Sequence, residues 1–188
     1  MRLFTGIALA PLVQQNIEAL LDDLRRVAPL KWSPPENLHV TTRFIGEWPE
    51  ARLPELTAAL AAMKPMGAIP IEIAGFGYLP TPHRPSIFLA GVRAPESLPA
   101  LAAATHTALE PLGITREERA YRPHLTLARI KNENIRELRE HIAKMNQTDF
   151  GSFEATEFHL YLSRPGTRNS VYEKIAAFPL VAQGGEQA

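Results

Sequence analysis

The chain repeats itself. Five segments of like character recur in the same order at an offset of about 85 residues. The apolar run at Leu3–Leu9 falls on Ile87–Val92, and a helical stretch at Pro11–Arg26 falls on Glu96–Pro111. A second helical stretch, Leu53–Met63, falls on Asn134–Met145, and Ile69–Leu79 falls on Phe153–Leu162. Between the two helical stretches each half carries one His-x-Thr triplet, His39-Val40-Thr41 and His124-Leu125-Thr126. A period this long is no solenoid; it predicts a duplicated lobe of β-α-β-α-β type.

The helices are predicted from spacing. Leu12, Ile17, Leu20, Leu21 and Leu24 keep one apolar face, with Pro11 suited to the first turn. Leu98, Leu101, Thr105 and Leu109 do the same in the second half, ahead of Pro111 and Gly113. The strands are predicted from alternation. Ile69, Ile71 and Ile73 alternate with Pro70, Glu72 and Ala74; Phe158, Leu160 and Leu162 alternate with His159, Tyr161 and Ser163. Gly75-Phe76-Gly77 reads as a strand end, and Pro80–Pro85 as a loop.

Composition narrows the function. The 188 residues carry 20 basic and 20 acidic side chains, so no basic excess marks a broad duplex-binding surface. There is no cysteine, which excludes disulfides and thiolate metal sites and fits a reducing, cytoplasmic setting. No apolar stretch approaches the ~20 residues of a membrane span. Residues 3–9 follow a positive charge and run into Ala8-Leu9-Ala10, as in a signal peptide, but their repeat partner lies mid-chain. They are read as a core strand.

On a strand, residues i and i+2 share a face. His39 and Thr41 therefore point one way, as do His124 and Thr126, while Val40 and Leu125 point into apolar packing. Two imidazoles titrating near neutrality suit general acid–base chemistry. The plainer alternative is two half-buried histidines, each bonded to a hydroxyl. The other histidines read more simply: His106 and His141 as surface or boundary helix residues, His83 in a proline-rich loop, and His159 facing solvent on a strand. None has metal-ligand spacing, and neither a phosphate-binding glycine loop nor a nucleophile elbow is present. Asp22-Asp23 and Glu117-Glu118 read as solvated faces; Lys31-Trp32, before Pro34-Pro35, reads as a cleft lining or a loop anchor.

Longer motifs surround the triplets. They are Arg2-Leu3-Phe4, the run from Asn37 to Glu47, the run from Arg122 to Arg129, Phe158 to Ser163, Tyr172, and Phe178-Pro179-Leu180. Together they resemble the two-histidine phosphoesterase superfamily, and more closely its bacterial RNA 2′,3′-cyclic phosphodiesterases, the LigT-like proteins. The resemblance covers nearly the whole chain. It departs at Thr42, where the family usually has an apolar residue.

The resemblance implies an α+β fold: two pseudo-symmetric α/β lobes around a central cleft, each an antiparallel sheet with helices on its outer face. We expect one two-lobed domain over residues 1–181, with repeats at 3–79 and 87–162, a closing strand near 171–178, and a frayed tail at 182–188. The implied activity is metal-independent hydrolysis of RNA 2′,3′-cyclic phosphate ends to 2′-phosphate, without a cofactor. His39 is the implied proton donor and His124 the acceptor, although pseudo-symmetry alone leaves those roles interchangeable. Thr41 and Thr126 would donate to the non-bridging oxygens.

Phe44 and Arg129, each five residues after its histidine, are the implied nucleobase contacts. That odd offset on a straight strand puts them on the face opposite the histidines. Either the strand bends before them or the assignment fails. Arg43 shares parity with His39 and is the alternative contact for phosphate or RNA. The expected partners are RNA ends, nucleoside 2′,3′-cyclic phosphates and other nucleotides, met by a monomer away from membranes. Two alternatives stay open: a 2′-5′ RNA ligase or 2′,5′-phosphodiester activity at the same site, and a non-catalytic binder of RNA ends.

Overall fold

The structure, a computed structural model, describes residues 1–115, 120–167 and 169–180. The expected tail at 182–188 and the Glu117-Glu118 pair lie outside the described residues. The elements run β1 (Arg2–Ala8), α1 (Pro11–Val27), β2 (Lys31–Trp32), β3 (His39–Glu47), α2 (Leu53–Ala61), β4 (Ile69–Pro80) and β5 (Pro85–Arg93). Then come α3 (Ser97–Leu109), β6 (His124–Arg129), α4 (Arg136–Ile142), β7 (Asp149–Ala155), β8 (Glu157–Arg164) and β9 (Val171–Pro179). The fold is α+β, with an antiparallel sheet in the order β7-β4-β5-β6-β3-β1-β8-β9 and β2 attached to β6. No helix among the described residues is long and apolar enough to cross a membrane.

The order explains the pseudo-symmetry. β6 and β3 meet at the centre through one antiparallel pair, Val40 opposite Leu125. From that pair the sheet extends through β5, β4 and β7 on one side and through β1, β8 and β9 on the other. The sequence repeats are not the spatial halves. β4, the last strand of the first repeat, lies beside β5 of the second, while β8 lies beside β1. The helices cross over too: α1 packs on β7 and α3 on β3. The duplicated β-α-β-α-β repeats thus form two halves that exchange strands and helices. Each repeat leaves apolar surface that the other covers.

Local sequence accounts for the elements. α1 opens with Pro11, where a missing N–H costs nothing, and closes with Arg25 and Arg26 in the last turn, where cations suit the helix dipole. Its buried face is Val13, Ile17, Leu20, Leu21 and Leu24. Leu12, expected on that face, is 68% exposed, because Val13 takes the inward position. α3 buries Leu98, Leu101, Thr105 and Leu109, as its spacing predicts; the Thr105 hydroxyl donates to the Leu101 carbonyl. Ile69, Ile71 and Ile73 are almost wholly buried, each stabilising the fold by about 1.5–3 kcal/mol.

Gly75 is no strand end. It lies inside β4 at a register shift, with φ +73°, a conformation that favours glycine, and its N–H donates to Thr148. The stretch expected as one strand over Phe153–Leu162 divides into β7 and β8. His159, expected to face solvent, is 5% exposed, its Nε2 3.0 Å from Glu157 Oε1. Burial is the main cause holding it below the ordinary histidine range; Lys174 adds to this and Glu157 opposes it. Its polar bond lets it sit in β8 between apolar neighbours.

Candidate active site

Both triplets begin their strands. At the Val40–Leu125 pair the two intervening side chains are fully buried, as alternation predicts. His39, Thr41, His124 and Thr126 all line one cavity of about 590 Å³. That volume is typical of a small-ligand site.

Each histidine is anchored in the same way. His39 Nδ1 is 2.6 Å from the Asn37 carbonyl, and His124 Nδ1 is 2.7 Å from the Arg122 carbonyl. A carbonyl can only accept, so each Nδ1 carries the proton and each neutral ring presents an unprotonated Nε2. His39 Nε2 is 2.9 Å from Thr41 Oγ1, whose hydroxyl donates to it in that tautomer. Gly6 makes room for the arrangement. A Cβ there would lie 2.9 Å from the Val40 carbonyl oxygen and 3.3 Å from the His39 ring.

Two β-bulges settle the parity of Phe44 and Arg129. Against β1, the register skips a residue between Thr41 and Arg43. Against β5, it skips a residue between Thr126 and Ala128. The extra residues are Thr42 and Leu127, at matching points of the repeat. A bulge inserts one residue and reverses the facing of the rest of the strand. Phe44 and Arg129 therefore reach the cavity that holds the histidines. The same inversion corrects Arg43. It is 7% exposed, its guanidinium donates to the Thr115 carbonyl, and it does not line the cavity. Thr42 is buried and bonds Thr5 at 2.8 Å, hydroxyl to hydroxyl, so the departure from an apolar residue leaves no unsatisfied group.

A bulge also releases ladder carbonyls, which need donors. The Tyr121 hydroxyl donates to the Thr41 carbonyl at 2.9 Å, and the Ser33 hydroxyl donates to the Thr126 carbonyl at 2.8 Å. The segment before each triplet thus fastens the other triplet. Sequence reasoning missed both residues, because neither has a recognisable spacing to the strand it holds.

The surroundings of His39 were missed as well. Phe4, Tyr172 and Tyr161 stand 4.7, 5.3 and 5.6 Å from its ring, centroid to centroid. Their enclosure is costly to an imidazolium. Burial brings His39 down to about 4; the Asn37 carbonyl opposes the fall and His124 adds to it. Among the described residues no cluster of three or more His, Cys, Asp or Glu side chains is arranged to hold a metal.

This geometry gathers two imidazoles and two hydroxyls around one cavity. Comparisons with known proteins show the family. A family model described as the 2′-5′ RNA ligase superfamily matches residues 13–167. The chain is 29% identical over 178 residues to an RNA 2′,3′-cyclic phosphodiesterase of Archaeoglobus fulgidus, covering 95% of this chain and 99% of that one. It is 31% identical over 176 residues to the protein of the same name from Methanocaldococcus jannaschii, covering 93% and 98%. The solved structure of a Thermus thermophilus protein matches with a TM-score of 0.79 at 26% identity, covering 97% and 100%. Escherichia coli LigT complexed with 3′-AMP shares the fold, with a TM-score of 0.77 at 21% identity and coverage of 96% and 98%. The chain belongs to the 2′-5′ RNA ligase superfamily, the two-histidine phosphoesterases.

Proposed function

We propose that this protein hydrolyses RNA 2′,3′-cyclic phosphate ends to 2′-phosphates by two-histidine acid–base catalysis. The observation that carries the reading is the pair of imidazoles in one cavity, each held at Nδ1 by a backbone carbonyl so that Nε2 is the working nitrogen. The names of the relatives support the substrate class.

In this reading water attacks phosphorus in line with the departing ribose oxygen. The neutral Nε2 of His124 takes the water's proton, and His39, as imidazolium, gives its Nε2 proton to the leaving oxygen. The direction of transfer follows the family resemblance. His39 is neutral at pH 7, because its enclosure disfavours charge. The anionic phosphate supplies the counter-charge that lets it take up a proton on binding. Once Nε2 is protonated it no longer accepts from Thr41, and that hydroxyl turns to a non-bridging oxygen, as Thr126 does. Phe44, 53% exposed in the cavity, offers a face on which a base can stack.

The deciding experiment is phosphorus NMR of 2′,3′-cyclic AMP with the protein in EDTA, alongside His39→Ala and His124→Ala. Conversion to the 2′-phosphate is expected, with each substitution slowing turnover ~10²–10⁴-fold. Turnover that survives either substitution, or that needs a divalent ion, would overturn the mechanism.

A further inference from the structure

The cavity's two ends differ. β3 and β6 run antiparallel from the Val40–Leu125 pair, so the same offset carries Phe44 to one end and Arg129 to the other. One planar base cannot stack on both. At its end Arg129 sits directly opposite Lys31 of β2, and both side chains are exposed and line the cavity. Like charges facing each other across an antiparallel pair are destabilising.

Three exposed arginines elsewhere on this surface find carboxylates. Arg93 meets Glu72 and Arg136 meets Glu140, each at 2.8 Å, and Arg164 meets Glu173 at 3.2 Å. Among the described residues Lys31 and Arg129 have no ion-pair partner, and no Asp or Glu lines the cavity. The two-residue strand that carries Lys31 is firmly held. Trp32 is buried and its indole donates to Ala28 at 2.9 Å. Ser33 donates through its N–H to Leu127 and through its hydroxyl to Thr126, both at 2.8 Å. Two uncompensated cations are thus fixed to the catalytic strand β6.

We infer that Lys31 and Arg129 form a second anion subsite, which takes a phosphodiester adjacent to the reacting one. The preferred substrate is then an oligonucleotide end rather than a mononucleotide. This inference rests on the proposed reaction. The adjacent phosphate has two possible sources: the 5′-linked phosphate of the reacting strand, or a second strand whose 5′-hydroxyl lies beside the reacting phosphorus.

The test compares kcat/KM for 2′,3′-cyclic AMP and for the dinucleotide ApA ending in a 2′,3′-cyclic phosphate, in wild type, Lys31→Ala and Lys31→Arg. The wild type is expected to favour the dinucleotide ~10-fold or more, as a charge-assisted contact provides. Lys31→Ala brings that ratio close to parity and Lys31→Arg keeps it. A wild type without the preference, or a Lys31→Ala loss equal on both substrates, overturns the subsite when binding shows no dinucleotide advantage either.

Calorimetric affinities supply that second readout and separate this outcome from failure of the hydrolase reading. They are measured for 2′-AMP, for ApA bearing a 2′-phosphate, and for 2′,5′-linked ApA bearing a 3′-phosphate on its second residue. A dinucleotide advantage lost in Lys31→Ala supports the subsite even if no substrate turns over. An advantage confined to the 2′,5′-linked compound assigns the phosphate to a second strand; equal affinities for all three overturn the subsite.

Discussion

His39 and His124 share their immediate sequence context and their backbone anchors, yet they live in different surroundings. Three aromatic rings approach His39, whereas none among the described residues approaches His124. The difference arises one strand away. In β1, Phe4 lies opposite Phe44 and Tyr161; in β5, Ile87 lies opposite Arg129 and Leu79. The half around His39 thus presents Phe4 and Tyr161 where the other presents Ile87 and Leu79. A pseudo-symmetric backbone has become chemically asymmetric through two aromatic-for-aliphatic exchanges and the ring of Tyr172 on β9. The physical result is that His39 holds a second proton weakly.

The largest expected effect that sharpens this comparison, after loss of either histidine, comes from the threonines. Thr41→Ala and Thr126→Ala should each lower kcat ~10²-fold if both hydroxyls stabilise transition-state charge. Thr41 also bonds His39 Nε2, so Thr41→Ala should move the pH–rate profile while Thr126→Ala leaves it in place. Rate profiles from pH 5 to 9 decide the matter. Coincident profiles would mean that the Thr41–His39 contact has no catalytic consequence.

The next effect is on stability against pH. His39 is brought down to about 4 in the folded protein, from an ordinary value of 6.5. Between these values the unfolded chain binds the proton and the folded chain does not, so stability falls as pH drops from 6.5 towards 4. His39→Gln removes that contribution, so the loss of urea-midpoint stability between pH 7 and 4.5 should be smaller than in wild type. Phosphate should oppose the loss in wild type by favouring the imidazolium. An unchanged pH slope in His39→Gln would contradict the neutral buried ring.

The smallest expected effect concerns the two fastenings. Tyr121→Phe frees the Thr41 carbonyl and Ser33→Ala frees the Thr126 carbonyl. Each should cost about 1–2 kcal/mol of stability and several-fold in kcat, with little change in KM. Thermal melts beside steady-state kinetics would show it. If the triplets are rigid without these bonds, kcat will not move.

Much of this molecule was legible in the chain. The repeat predicted the order of the elements, and apolar spacing predicted the helix faces at Ile17, Leu21 and Leu101. The two triplets were identified from hydroxyl and imidazole placement, and all four side chains do share a cavity. The errors at the cavity have a common origin. Straight-strand parity makes Arg43 an alternative contact and leaves Phe44 and Arg129 unresolved, because a bulge is a one-residue irregularity with no required sequence signal. Phe4 aligns with Phe88 by sequence, but strand pairing makes Ile87 its counterpart at the cavity. A one-residue slip exchanges the faces of a strand, and Phe88 accordingly lies fully buried.

The sequence by itself determined that His-x-Thr occurs in two equivalent sets, since spacing and side-chain type are local properties. Tertiary structure alone decided what each set feels. The exchange of β4 and β8 between halves, the bulges at Thr42 and Leu127, and the aromatic enclosure of His39 all depend on contacts between distant segments. Desolvation and charge compensation are set by those contacts. His39 therefore acquires its lowered proton affinity only when the chain has folded.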